Sequence, residues 1–521
     1  MIHPIFAQFG AGMTLDLSRP ADLTMAIAPD LVLCVGAMIL LLYAAWRPES
    51  EAHQRRVALG AMTVALLALV AVIVVGLSGW KSTAGPVAVD GFRWAADVVL
   101  LLATVIAIGL SMDYNAREGI TAPEAHVLVL FATVGMMIMV AARDLMVLFL
   151  GLETMSVSIY VLVGMNRRSA RSAEGALKYF LLGAFSTAFL LYGIALVYGA
   201  TGSTNLSAIG GRIAALSLGD SPMLLVGVAL LLVGFAFKVA AAPFHMWAPD
   251  VYEGAPTPIT AYMAAAVKAA AFAAFLRVWI EAFGHLYVAW HDALWWLAAL
   301  TMFVGNLVAL QQRNLKRMLA YSSIGHTGFL LVAVTAATSQ AASAMLFYLF
   351  AYTLATMGAF AVIISLGTGT NARENIEDLN GLWQERPGLA VAMAVFMLAM
   401  LGFPVFGGMG FFAKWYVLQA AIDAASPQVR LAVLLVIATT ISAGYYLYVV
   451  MVMFMKPRVS TEPLAERASG WTRVVVWGSA AIILIFGLFP DAIVSLTRRS
   501  SPAVSKEVAP SASKSVAVSS R

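Results

Sequence analysis

The sequence predicts an all-α membrane protein with 14 transmembrane helices, including two inverted five-helix repeats. Three observations predict this class. Hydrophobic residues make up 61% of the 521 residues and charged residues only 11%, against about a quarter in soluble domains. Fourteen apolar segments are long enough to cross about 30 Å of hydrocarbon. The seventh and twelfth segments are interrupted by proline, so helices 7 and 12 are expected to be broken.

Each predicted helix is an apolar run bounded by polar residues. The runs are 23–46, 57–78, 93–112, 123–142, 144–165, 174–199, 222–247, 258–281, 292–311, 318–337, 341–366, 388–420, 429–455 and 473–495. They are grouped as 1–122 (helices 1–3), 123–281 (first repeat, helices 4–8), 292–455 (second repeat, helices 9–13), 473–495 (helix 14) and 500–521 (a disordered tail). Residues 1–22 are expected to be mobile or interfacial. The short connections leave no room for a soluble catalytic domain.

The basic residues predict the orientation. With the N-terminus outside, the odd-numbered loops carry 16 Lys and Arg residues and the even-numbered loops carry 5. Cytoplasmic loops are enriched in these residues, so both termini are expected outside, with the loops at 166–173 and 367–387 in the cytoplasm. A net charge of +5 distributed in this way indicates no nucleic-acid partner.

The two breaks occupy equivalent places. Pro243 lies in FKVAAAPFHMW of helix 7, and Pro404 lies in GFPVFGGMGFFAK of helix 12. Each is in the fourth helix of a block of five, helices 4–8 and 9–13. Because five is odd, the second block would be inverted, giving two half-channels around the bilayer midplane.

Four lysines and one glutamate lie in the middle of long apolar stretches, where each costs roughly 2.5–3.5 kcal/mol to insert. They are Glu153, Lys178, Lys238, Lys268 and Lys414. Unpaired and charged, they would together cost about 12–18 kcal/mol, so we expect them to pair or to line an ion path. The pattern predicts proton movement.

Each of these residues has an expected role. Glu153 should lie within a hydrogen bond or one water molecule of Lys238 or Lys178. Lys178, nearer the cytoplasmic end, would modulate the Glu153–Lys238 pair. Lys268 would connect the halves, and Lys414 would be the counterpart of Lys238 in the second repeat. The structural alternative for each is a static buried ion pair or hydrogen bond.

Histidine can pass a proton through either ring nitrogen, so His326, beside Ser322, Ser323 and Thr327, is a candidate on the same line. His245, seven residues after Lys238, is a secondary candidate together with Pro243 and Pro404. Four further polar residues receive structural interpretations: Tyr445 and Tyr446 as core residues, and Asp250 and Glu253 as a solvated interface.

Enzyme sites are not indicated. Gly407, Gly408 and Gly410 follow no strand, so they form no dinucleotide fingerprint. The single cysteine, Cys34, excludes a cysteine-ligated iron–sulfur cluster in this chain. There is no zinc motif, so we expect no metal or cofactor here.

Three stretches carry a family resemblance: LGLETMSVSIYVL, ALKYFLLGAFSTAFLLYGIALVYGATG and FKVAAAPFHMWAPDVYEGAPTPITAYMAAAVKAAAF. They closely resemble the antiporter-like proton-channel family of bacterial NADH:quinone oxidoreductase (respiratory complex I), in its subunit N branch. The resemblance runs over most of the chain. Helix 12 departs from it, because the family's Pro-Pro-Thr-Ala-Gly-type break reads FPVFGGMGFFAK here.

The resemblance implies that Glu153 and Lys238 match the family's essential pair, Lys178 its helix-6 lysine, Lys268 its connecting lysine and Lys414 its exit lysine. It also implies a place in a bacterial inner membrane, beside subunits M and K and membrane lipids. NADH, FMN, the iron–sulfur clusters and quinone would belong to other subunits. The alternatives are complex I subunit M, a multi-subunit Na⁺/H⁺ (Mrp-type) antiporter and a membrane scaffold without a proton path.

Overall fold

The computed structural model of the chain describes residues 14–47, 49–82, 85–367, 373–405, 407–458 and 470–500. Within these ranges, 12 helices are long and apolar enough to cross a membrane. This confirms an all-α, multi-span membrane fold.

The helices of the first half are α1 Pro20–Ala26, α2 Ala28–Trp46, α3 Glu51–Leu77, α4 Gly91–Arg117, α5 Glu124–Ala141, α6 Leu145–Val163, α7 Ala170–Thr201, α8 Leu206–Ala215, α9 Pro222–Lys238 and α10 Trp247–Gly254. Helix α11, Thr257–Glu281, contains a π-helical turn at Met263–Val267.

The second half continues with α12 Tyr287–Ala309, α13 Leu315–Ala336, α14 Ser339–Leu366, α15 Leu382–Glu385, α16 Pro387–Leu401, α17 Met409–Ile422, α18 Val429–Met455, α19 Gly470–Leu488 and α20 Asp491–Ser500. If α9 with α10 and α16 with α17 each count as one crossing, the described helices accommodate the 14 predicted. That count and the inverted repeats stay predictions.

Side-chain caps mark where several helices begin. Asp144 accepts from the backbone N–H groups of Met146 and Val147 at the start of α6. Asn314 and Thr338 cap α13 and α14 in the same way. A cap satisfies a backbone donor that has no partner inside the helix, so these polar residues fix the helix ends.

The first break confirms the prediction at Pro243. Helix α9 ends at Lys238, and α10 begins only at Trp247. Protein groups satisfy the freed backbone, as a membrane interior requires. The bonds are Thr327 Oγ1 to the carbonyl of Val239 at 2.7 Å, the N–H of Ala242 to Thr301 Oγ1 at 3.0 Å and Trp247 Nε1 to the carbonyl of Phe237 at 3.0 Å.

The second break, between α16 and α17, confirms the prediction near 404–410. Its glycines Gly402 and Gly408 adopt φ values of 74° and 51°, which favour residues without a Cβ. A Cβ on Gly487 of α19 would come within 2.9 Å of the backbone nitrogen of Met409. Helix α19 therefore packs backbone to backbone against this break.

The ends of the chain differ from expectation. Thr14–Leu15 pairs with Lys81–Ser82, and Leu15 and Leu17 are buried, so these residues are not mobile, and the interfacial alternative stays a prediction. The last apolar run continues into a second helix, α20, which ends at Ser500. Residues 1–13 and the predicted tail at 501–521 lie outside the described residues.

The loops sort into two groups. Those predicted to be cytoplasmic contact one another: Arg317 pairs with Asp250 at 2.7 Å, and the N–H of Leu315 bonds the carbonyl of Glu374 at 2.5 Å. We call this the odd-loop side. On the opposite, even-loop side, Arg277 pairs with Asp90 at 2.7 Å. The two groups agree with the predicted alternation, while the direction across the membrane stays a prediction.

Candidate functional site

Lys238 is the last residue of α9 and is buried. Its Nζ donates to Ser156 Oγ at 2.8 Å and to the Tyr160 hydroxyl at 3.5 Å, both on α6. Its position at the C-terminal end of a half-helix is favourable for a cation, because the helix dipole is negative there. The structure thus places a buried lysine amine beside two hydroxyl groups that can exchange protons with it.

Glu153 lies one helical turn before Ser156 and is half-buried. It accepts a hydrogen bond from Thr187 Oγ1 at 2.8 Å, and its charge acts on Lys238. Among the described residues neither Lys238 nor Lys178 lies within 4.0 Å of Glu153, so the predicted hydrogen-bonding or single-water reach is not met by a direct ion pair. Lys238 and Glu153 each form their direct hydrogen bonds with hydroxyl groups instead. A contact between Glu153 and a lysine through one water molecule stays a prediction.

Lys178 belongs to a charge network on the odd-loop side. Its Nζ lies 2.7 Å from carboxylate oxygens of both Glu174 and Asp250. Arg317 joins Asp250 to Glu253, at 2.7 and 2.9 Å. Asp250 and Glu253 are therefore ion-paired, which corrects the solvated-interface interpretation. The side chain of Lys178 is 43% exposed, so it reaches toward this side rather than toward Glu153.

Lys268 lies on α11 directly after the π-helical turn and is buried. Its Nζ donates to the carbonyl oxygen of Ser323 at 2.5 Å and to the Ser323 hydroxyl. Tyr252 and Tyr352 also lie next to that hydroxyl. Tyr252 is on α10, the helix that also carries Asp250 and Glu253 of the odd-loop network.

His326 is held between two tyrosines. Its Nδ1 lies 2.5 Å from the Tyr348 hydroxyl and its Nε2 lies 3.0 Å from the Tyr446 hydroxyl. Tyr446 also bonds Ser322 Oγ. A neutral imidazole has one donor and one acceptor nitrogen, and a hydroxyl can take either role. The ring can therefore receive a proton on one side and release one on the other.

Lys414 lies at the other end of this cluster. Its Nζ donates to the carbonyl oxygen of Leu401, the last residue of α16, at 2.8 Å. A small cavity lined by His326, Tyr352 and Lys414 lies between these groups, and its volume is about 10 Å³. That is room for about one water. Like Lys238, Lys414 is placed at the carbonyl end of a first half-helix.

Three predicted residues thus come together, Lys268, His326 and Lys414, and both neighbouring lysine charges act on the histidine. Lys238 adjoins the group through the break, where Thr327 bonds the carbonyl of Val239. His245 is half-buried, and its Nδ1 has no partner within the described ranges. The structure brings it to none of the lysines. Pro243 and Pro404 are exposed at the breaks.

Sequence reasoning missed the tyrosines. The sequence predicts a core position for Tyr446, and it is buried, but its hydroxyl bonds His326. Tyr348 and Tyr352 went unnoticed in an apolar helix. Their spacing of four residues places both on one helix face, which was the available signal.

Comparisons with known proteins agree with this arrangement. The family model described as NADH:quinone oxidoreductase/Mrp antiporter, TM, matches residues 142–460. NADH-quinone oxidoreductase subunit N of Gemmatimonas aurantiaca is 52% identical over 508 residues, covering 95% of this chain and 97% of that protein.

Two solved structures are similar. A chain of respiratory complex I from Thermus thermophilus with bound aureothin has a TM-score of 0.76 and 36% identity, covering 90% of this chain and 99% of that one. A chain of the Mrp complex from a Dietzia species has a TM-score of 0.79 at 21% identity, covering 92% and 97%. The second likeness shows the fold alone.

Proposed function

Because the chain belongs to the NADH:quinone oxidoreductase/Mrp antiporter family, in its subunit N branch, we propose that it is a proton-translocating membrane-arm subunit of NADH:quinone oxidoreductase. The observation that carries this is the cluster of Lys268, His326 and Lys414 between two broken helices. These groups are linked by hydroxyls and a one-water cavity. Such a line can hold and pass protons.

The proposed path has two half-channels. Protons reach Lys238 and Lys268 from the odd-loop side and leave beyond Lys414 toward the even-loop side. Glu153 acts on Lys238 by its charge, and the network around Lys178 supplies the odd-loop end. The two halves are the predicted repeats, 123–281 and 292–455.

The energy would come from other subunits. NADH, FMN, the iron–sulfur clusters and quinone are proposed to lie outside this chain, which performs no redox chemistry itself. Subunits M and K and membrane lipids are the proposed neighbours. The proposed location is a bacterial inner membrane with both termini outside, and the clustering of the odd-numbered loops on one side supports that alternation.

The test is proton pumping linked to NADH oxidation in membrane vesicles. Glu153→Ala, Lys238→Ala and Lys268→Ala should lower the proton-to-electron ratio while the complex still assembles. Lys178→Ala should be milder, because its half-exposed ammonium can be replaced by water. An assembled Glu153→Ala or Lys238→Ala complex pumping at the wild-type ratio would contradict the proposal. Lys81→Ala, an exposed lysine on the even-loop side, is the control.

A subunit of an Mrp-type Na⁺/H⁺ antiporter is the second candidate, since the family model and one similar fold include such proteins. The greater identity to the complex I chain, 36% against 21%, favours the first. Loss of NADH-driven pumping in the lysine variants separates the two.

A further inference from the structure

A second line of buried polar groups runs between α4 and α5, away from the lysines. Thr104 Oγ1 on α4 lies 2.8 Å from Thr133 Oγ1 on α5, and Thr133 Oγ1 lies 2.6 Å from the Tyr262 hydroxyl on α11. All three are fully buried. These contacts show which faces of α4 and α5 meet.

Three further polar residues continue the same faces toward the odd-loop side. Ser111 and Asn115 follow Thr104 by seven and eleven residues, and His126 precedes Thr133 by seven. At 3.6 residues per turn, these spacings return to the same face. We call Thr104, Ser111, Asn115, His126 and Thr133 the α4–α5 seam.

The outer part of the seam is buried but not hydrogen-bonded. Ser111, Asn115 and His126 are 3%, 1% and 1% exposed. The Ser111 hydroxyl, both amide atoms of Asn115 and both ring nitrogens of His126 find no partner in the part of the chain that is described. Buried polar groups of this kind are normally satisfied by ordered water. Five such atoms on one seam indicate a water-binding line.

The inner end of the seam reaches the depth of the lysines. Thr133 lies nine residues from the odd-loop end of α5, about 13 Å along the helix. Lys268 lies eleven residues from the same end of α11, about 16 Å. Tyr262 is on that same helix, six residues before Lys268 and just before the π-helical turn.

A purely structural role explains only part of this. The hydroxyls of Thr104 and Thr133 also bond carbonyls of their own helices, Leu100 and Val129, so the inner three residues could serve as a packing joint. A joint needs no histidine two turns further out and no asparagine three turns further out, both left without a hydrogen bond to the described residues. Those residues are explained by water.

We propose that the α4–α5 seam is a water-filled proton uptake route from the odd-loop side to the level of Lys268. The proposal rests on the proposed function and adds a route to it. Each water or hydroxyl accepts a proton from the outer side and passes its own inward. One proton therefore enters beside Asn115 and His126 for each one transferred beyond Tyr262 to the unprotonated amine of Lys268.

Isosteric variants test the relay. Thr133→Val and Tyr262→Phe each remove one hydroxyl while keeping the shape, and both should lower the proton-to-electron ratio in vesicles. Thr335→Val is the matched control, because Thr335 is equally buried and its hydroxyl bonds only the carbonyl of Leu331 on its own helix. Wild-type ratios in both Thr133→Val and Tyr262→Phe would overturn the proposal.

Water access supplies a second readout that does not depend on pumping. In a Cys34→Ser background, Ser111→Cys should react with a small, charged thiol reagent added to inside-out vesicles, detected by mass spectrometry of this chain. Ser365→Cys is the control, since Ser365 is fully buried on the same side with its hydroxyl bonded to the carbonyl of Ala361. A Ser111→Cys chain as unreactive as the control overturns the proposal.

A parallel Lys268→Ala measurement separates this inference from the proposed function. Reduced pumping in Lys268→Ala with normal pumping in the seam variants would remove the seam and leave the function standing. Normal pumping in Lys268→Ala would remove the function itself.

Discussion

Tyr446→Phe isolates one hydroxyl group at the centre of the site. The tyrosine hydroxyl lies 3.0 Å from Nε2 of His326 and also bonds Ser322 Oγ. Removing it leaves the ring packing intact but takes a partner from each of two buried groups. Ser322 can turn to a carbonyl of its own helix, so its loss is small. His326 Nε2 stays unpaired, which costs about 1–3 kcal/mol.

Tyr445→Phe is the matched control. Tyr445 is the preceding residue, is also buried, and donates to Asn306 Oδ1 at 2.8 Å. Its loss should lower stability by a similar amount, about 1–3 kcal/mol, because an amide oxygen is left unpaired. Its hydroxyl lies next to Tyr446 and Ser322 rather than at a ring nitrogen of His326, so we expect a smaller effect on the proton path than from Tyr446→Phe.

Two measurements compare Tyr446→Phe with Tyr445→Phe: the thermal unfolding midpoint of the purified complex and the proton-to-electron ratio in vesicles. We expect both variants to lower the midpoint by similar amounts and Tyr446→Phe to lower the ratio much more than Tyr445→Phe. Equal ratios in the two variants would refute the reasoning that His326 exchanges protons through Tyr446.

Two other predictions concern stability. Gly410→Ala should hinder assembly or cost about 1–3 kcal/mol, because the added Cβ would overlap the carbonyl of Ala399; Gly478→Ala, which has open space, should be neutral in the same assembly and melting assays. Asp90→Asn should cost about 2 kcal/mol through weakened bonds to Arg277. Burial favours the neutral form of Asp90, but the Arg277 guanidinium outweighs it and lowers the pKa of Asp90 to about 2. An unfolded aspartate titrates near 3.9, so the stabilisation is present above about pH 4 and is lost as the pH falls toward 2. Melting curves of wild type and variant should converge over that interval, and a constant difference would contradict the assignment.

The breaks were predictable because their cause is local. Proline at 243 and 404 and the glycines around 408 break a helix whatever surrounds them. The buried lysines were found for a similar reason, since a charge in an apolar run is expensive in any membrane fold.

The partners were not predictable, because they depend on how helices rotate against one another. Glu153 lies on α6 and Lys238 at the end of α9, yet Ser156 and Thr187 form the direct bonds. Lys178 is drawn to Asp250, 72 residues away in sequence. Tyr446 gave no signal, because a tyrosine in an apolar run usually packs in the core.

Different contacts hold the two helix breaks, so the two breaks differ in how easily they can move. At the first, two hydroxyl groups and an indole N–H hold the backbone, and such side-chain groups can change partner without the helices parting. At the second, Gly487 abuts the backbone at Gly408, so displacement requires α19 to withdraw as a whole. The first break can therefore bend as a hinge while its hydrogen bonds change partner, whereas the second is held rigidly against α19.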